Sequence, residues 1–192
     1  MFAYIEGDLT YKSPSLLYVS VHGLAYEVNI TLQTYTRIQN EERCRLYTHL
    51  QVREDAWVLY GFADEVERAT FRHLLSISGV GATTARLILS SLKPSELERI
   101  VAGEDVNSLQ KVKGIGAKTA QRIILELKGK LNIGAETGET FGGTHNTIEN
   151  DALFALVNLG INKSVAQAAI KKIQGSGASS AEELIKEALR VL

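Results

Sequence analysis

The 192-residue chain holds one cysteine, one methionine, one tryptophan and two prolines, and no apolar run approaches the roughly 18 residues of a membrane span. Lone Cys44, in "ERCRLYTHL", has no second thiol for an internal disulfide or a thiolate metal site, so a reducing, cytoplasmic setting is expected. Glu6 and Asp8 interrupt the start, and no signal peptide is expected. Charge of either sign is also not in excess: 21 Lys and Arg against 22 Asp and Glu leave a net charge of −1. The chain as a whole therefore selects no partner by charge, and any such selectivity must come from local clusters. Four histidines, His22, His49, His73 and His145, are dispersed without ligand spacing. What is present, 45 % hydrophobic and 22 % charged residues, is the composition of a soluble globular protein long enough for two or three small domains.

Pattern divides the chain. Residues 1–63 alternate apolar and polar side chains, in "LLYVSVHGLAYEVNI" and again in "CRLYTHLQV", with Gly23 and "RED" at hairpin turns. About five short strands in so few residues favour a closed OB-type β-barrel, with an SH3-like barrel as the alternative. From residue 64 to 131 the period is helical. Asp64 with Glu67, and "SELE" from Ser95 directly after Pro94, are capping-box-like starts. Residues 132–148 are rich in glycine and acids and read as a flexible acidic linker. Residues 149–192 read as three short helices in a UBA-like unit, with Asn162 and Ser179 or Ser180 as N-caps. The fold class is thus α+β and multidomain.

The helical middle is duplicated. "LLSISGVGATTARLILSSL" from Leu74 and "LQKVKGIGAKTAQRIILEL" from Leu109 align at an offset of 35 residues, pairing Gly79 with Gly114, Gly81 with Gly116 and Thr84 with Thr119. In each copy a G-(V/I)-G ends one helix and opens the next. The glycines permit positive φ and bring bare backbone near a ligand. Unpaired N–H groups and the positive dipole end of the following helix then suit a phosphate oxygen. Both copies resemble the helix-hairpin-helix pattern of sequence-independent DNA binders, with Val80 and Ile115 turned inward as anchors. The expected DNA-binding residues are Gly79, Val80, Gly81, Thr83 and Arg86 in the first copy, where the Thr84 hydroxyl also helps. In the second they are Lys113, Gly114, Ile115, Gly116, Lys118, Thr119 and Arg122. Residues 109–131 carry six cations against Glu126, so the second copy is expected to grip harder; Lys128 and Lys130 read as a solvated helix face.

Enzymatic readings find little support. "GIGAKT" has Ala117 where a P-loop needs glycine before the lysine, and Val112 where its first glycine would stand, so no nucleotide hydrolysis is expected. No cofactor or metal is expected. Three rivals stay open: a general duplex-binding scaffold, a nuclease with Glu54 and Asp55 in a metal site, and a single-strand binder using Tyr18, Tyr47 or Trp57 as platforms, although strand alternation favours core or interface packing for these aromatics.

Taken together, the barrel, "TH-x-x-VREDA-x-x-LYGF", the paired hairpins and the terminal helical unit resemble the RuvA family of Holliday-junction-binding subunits along the whole chain. The resemblance implies a homotetramer, or two tetramers face to face, that presents a basic surface to four-way junction DNA. It implies a hexameric ATPase partner, RuvB, contacted by a mobile third domain, and a resolvase, RuvC, that shares the junction. Leu159 and Ile161, apolar beside a helix break, are the candidates for the RuvB contact, with core packing the expected role of at least one of them. The resemblance also implies that Glu54 and Asp55 form an acidic pin whose carboxylates hold strands apart at the junction centre. Two departures from the family pattern stand out: Glu6 lies where a basic residue is common, and the first hairpin lacks a lysine.

Overall fold

In a computed structural model of the chain, which describes residues 2–134, 148–173 and 180–192, the alternating segments form five strands and one helix. They are β1 (Tyr4–Ser13), β2 (Leu16–Val21), β3 (Leu24–Ile30), α1 (Leu32–Ile38), β4 (Arg43–Val52) and β5 (Trp57–Phe62). The strands close in the order β1-β2-β3-β5-β4, with β3 and β5 parallel and all other neighbours antiparallel. A parallel pair bridged by α1 and β4 is the OB arrangement, which decides against an SH3-like barrel. Leu17, Val19, Val28, Ile30, Ile38, Leu46 and Leu59 fill the barrel. Gly61 sits so close to its neighbours that a Cβ would lie 2.5 Å from Val28 Cγ1, so any side chain there would wedge the barrel open.

Helices follow: α2 (Glu65–Leu75), α3 (Ala82–Ser91), α4 (Pro94–Ala102), α5 (Val106–Gln110) and α6 (Ala117–Gly134). Lys93 is the N-cap of α4, Pro94 its first residue, and Glu96 reaches back to accept from the Lys93 N–H at 2.8 Å. The helix therefore starts before Ser95, because proline suits a first-turn position whose N–H is unpaired anyway. The barrel and these helices belong to one unit, Met1–Thr137; a second unit, Gly138–Leu192, holds α7 (Ile148–Asn158), α8 (Lys163–Lys172) and α9 (Ala181–Val191) around Ala152, Leu156, Ala166, Ile170 and Leu184. Asn162 caps α8 and Ser180 caps α9. The expected linker falls mostly on residues 135–147, outside the described residues, and α6 runs through Gly134. No helix among the described residues is long and apolar enough to cross a membrane.

Strand β5 joins barrel and helices. Leu59 faces the barrel core, while Tyr60 and Phe62 face the helical core, where their rings lie 5.1 and 4.9 Å from that of Phe71 on α2. A strand covered on both faces reads as nearly continuous apolar residues, as "WVLYGF" does. A polar latch lies beside it. Asp64 caps α2 by accepting from the Glu67 N–H at 2.7 Å. The Glu67 side chain does not complete the capping box; it turns into the interior and accepts from the hydroxyls of Thr31 and Thr34 at the start of α1, the latter at 2.8 Å. Thr34 Oγ1 accepts in turn from the Ala63 N–H at 3.0 Å. All three side chains are buried, so the network ties α1 to α2 with little access to water.

Burial pushes the Glu67 carboxyl above its ordinary 4.5, against the opposing effect of the two threonine hydroxyls. Because the folded state keeps this proton at a pH where the unfolded chain has released it, the group's contribution is full below 4.5 and declines as pH rises through the folded value. Glu67→Gln is expected to flatten that decline in urea melts across pH. Glu67→Ala, which strips the acceptor from two buried hydroxyls, is expected to cost about 1–3 kcal/mol.

Candidate nucleic-acid interface

The two hairpins share three backbone hydrogen bonds in register. In the first, Ile77 N–H donates to Leu74 O at 3.1 Å, Val80 N–H to Ile77 O at 3.0 Å and Ala85 N–H to Gly81 O at 2.9 Å. In the second, Val112 N–H donates to Leu109 O at 3.1 Å, Ile115 N–H to Val112 O at 3.1 Å and Ala120 N–H to Gly116 O at 2.9 Å. Val80 and Ile115 are buried in one core shared by both copies, as anchors should be. Gly79 and Gly114 have φ of +87° and +88°, which a side chain would strain. Gly81 and Gly116 have no positive φ, and a Cβ on either would meet nothing within 4 Å. Nothing among the described residues requires those two glycines. Their bareness leaves the first-turn N–H groups of α3 and α6 open to an approach from outside, and Gly81 offers no side-chain cap.

Side chains around these cradles sort into two groups. Lys111, Lys113 and Lys118 are exposed and make no ion pair among the described residues; the Ser108 hydrogen bonds, helped by nearby Lys111, hold the Asp105 carboxyl below its ordinary value, and Lys113 and Lys118 offer uncommitted charge at the second hairpin. Arg122 is paired with Glu126 at 2.8 Å, and Lys128 pairs with Glu104. Thr83 is exposed and Thr119 half-buried. Arg86 is placed differently: its Nη1 donates to Asn29 Oδ1 at 2.6 Å, which makes it a strut between α3 and β3. The first cradle is thus left mainly with backbone amides and threonines.

Glu54 and Asp55 stand at the tip of the β4–β5 hairpin, closed by the Arg53 N–H donating to Ala56 O at 2.9 Å. Residues 52–57 are all exposed, and neither acid has an ion-pair partner among the described residues. No group of three or more His, Cys, Asp and Glu among the described residues could hold a metal. The direction of α2 relates this tip to the first hairpin. Arg68 lies 5.6 Å from the Tyr47 ring, and Phe71, one turn later, packs on Phe62 and reaches on to Tyr60 and His49. Because Tyr47 pairs with Phe62 and His49 with Tyr60, α2 runs back along β5 toward the tip. Helix α3 returns: Arg86 reaches Asn29, which pairs with Tyr60, and Ser90 reaches Leu32 beyond the strand's end. The Gly79–Gly81 turn between them therefore lies at the same end of β5 as the acids.

Comparison with known proteins gives these parts a common origin. Residues 1–61 match the family described as RuvA N terminal domain, residues 71–130 the SAM-like helix-hairpin-helix tandem, and residues 147–192 the RuvA C-terminal domain. Proteins named Holliday junction branch migration complex subunit RuvA are 44 % identical in Cytophaga hutchinsonii, 45 % in Christiangramia forsetii and 42 % in Bacteroides fragilis, each aligned over 100 % of both chains. The chain belongs to the RuvA family.

The structure explains the acid at position 6. Glu6 is neutralised by Arg45, at 2.7 Å, and by Arg43, at 3.7 Å, both on the neighbouring β4, and Arg45 also covers the Tyr4 ring. In the RuvA C-terminal domain, Leu159 is 65 % exposed. Ile161 instead packs on the core. It closes a Schellman turn at Gly160 (φ +92°), where Ile161 N–H donates to Leu156 O at 3.2 Å and Gly160 N–H to Val157 O at 3.0 Å. Phe154, 67 % exposed on α7, was not visible as a surface residue in the sequence, since every apolar residue of "ALFALV" fits a core pattern equally well.

The glycine geometry separates binding from stability. Gly116→Ala is expected to shift the urea midpoint by less than about 1 kcal/mol while weakening DNA binding severely, because its methyl group stands where phosphate would approach. Gly114→Ala is expected to cost about 1–2 kcal/mol of stability, from its positive φ. Lys118→Ala should reduce the slope of log K against log salt by about 1, measured by titration at several salt concentrations.

Proposed function

We propose that this chain is the DNA-binding subunit of a branch-migration complex, acting in the cytoplasm as a homotetramer or as two tetramers face to face. It binds four-way junction DNA without regard to sequence, since amide cradles and lysines engage phosphates and carry no base readout. The observation that carries the reading is the uncompensated Glu54–Asp55 tip at the same end of β5 as the first amide cradle. Attraction and repulsion are presented together: the hairpins draw the arms in, and the acids repel any continuous duplex that would lie across the centre. Acid placed amid attraction converts affinity for DNA into preference for a junction.

In this reading the chain itself is not catalytic. ATP hydrolysis belongs to a hexameric RuvB partner, and a RuvC resolvase shares the opened junction. The third domain meets the motor through its exposed apolar residues, Leu159 with Phe154, while Ile161 supports them from the core. Leu159→Asp is accordingly expected to abolish co-sedimentation with RuvB while leaving junction affinity unchanged.

The deciding experiment is a gel-shift titration of wild type and the Glu54→Gln/Asp55→Gln double variant against a synthetic four-way junction and a linear duplex of equal length, without ATP. Wild type is expected to prefer the junction, and the variant to gain affinity for duplex. Equal affinity of wild type for both substrates would overturn the reading.

A further inference from the structure

The apolar stripe that fills the barrel does not stop at its mouth. Along β4 the inward series Leu46, Thr48, Leu50 continues to Val52, and along β5 the series from Leu59 continues to Trp57, its cross-strand partner. Both lie beyond the barrel core: Trp57 is 76 % exposed and Val52 61 %. Among the described residues no large apolar side chain is more exposed than Trp57. It stands two residues from Asp55, at the stem of the acidic tip.

We propose that Trp57 is a stacking platform for a nucleobase at the strand-exchange point, supported from the opposite strand by Val52. The proposal rests on the junction-binding function above. Three features select a base as occupant. An indole offers a wide π-face suited to any base, so stacking here stays sequence-independent. The carboxylates of Glu54 and Asp55 repel phosphate, so of the parts of a nucleic acid only the uncharged base face is tolerated beside them. A second copy of the same tip is disfavoured, since Arg53, the one cation of the turn, is held on Gln51 at 3.3 Å and two acid pairs would meet. Repulsion of the backbone and capture of a base then act at one point: the acids part the strands, and the indole covers a base face that parting exposes.

Trp57 is the one tryptophan in the sequence, so its intrinsic emission reports on this position alone. The test uses the full-length protein with a four-way junction carrying 2-aminopurine beside the crossover, and with a linear duplex carrying the same label. The free protein is expected to show the red-shifted emission of a water-exposed indole. Saturating junction should quench both this emission and the 2-aminopurine beside the crossover, whereas duplex at equal bound fraction should leave them unchanged. Trp57→Ala should weaken junction binding about fivefold or more, more than it weakens duplex binding, and Trp57→Phe should recover part of the loss. Blue-shifted emission in the free protein that DNA does not alter would place the indole between copies of the chain and overturn the proposal. Unchanged emission at saturating junction would overturn it too. If the gel still shows junction preference in that case, stacking alone falls; without junction preference, the functional reading falls and the stacking with it.

Discussion

Everything in the first unit depends on β5 being packed on both faces. Its inward side chains close the barrel, and its outward ones, Tyr60 and Phe62, meet Phe71 in the helical core. One strand thus carries the acids at its start and anchors the first hairpin through α2, which runs back along it. Close-packed aromatic contacts of this kind transmit position because they have few alternative arrangements. The Glu67–Thr31–Thr34 network and the Arg86–Asn29 strut add polar ties between the same two halves.

That coupling gives the electrostatics their meaning. A cradle of amides and lysines on a freely moving module would bind any duplex, and an acidic loop on another would merely lower its affinity. With the first hairpin's amides at the same end of β5 as the acids, the proposed function has the chain discriminate by shape, accepting phosphate at the hairpins and refusing it at the tip. Uncommitted positive charge lies at the second hairpin, at Lys113 and Lys118, while Arg86 and Arg122 are occupied within the protein.

Much of this was legible in the sequence, for identifiable reasons. The hairpins could be read because glycine spacing, anchor residues and repetition at a fixed offset are local, and the tip because a turn flanked by alternating strands is local too. Helix α1 is not legible in the sequence, since "LQTYTRI" carries three β-branched residues and a tyrosine; its helicity comes from the Thr31 cap and from Glu67, 36 residues away. The role of Arg86 and the inward turn of Glu67 were hidden for the same reason, as each depends on a partner brought near only by the tertiary fold. Trp57 fits the alternation of a core strand, and only the position of the barrel's mouth shows that it lies outside.

The central claim is that attraction and repulsion are held as one rigid device. Spin labels at Ala56→Cys and Thr83→Cys, in a Cys44→Ser background with labelled protomers diluted in unlabelled ones, test it through the electron–electron distance distribution. The account predicts one narrow peak, unchanged when a four-way junction is added. A broad distribution in the free protein, or one that narrows only on DNA, would contradict it.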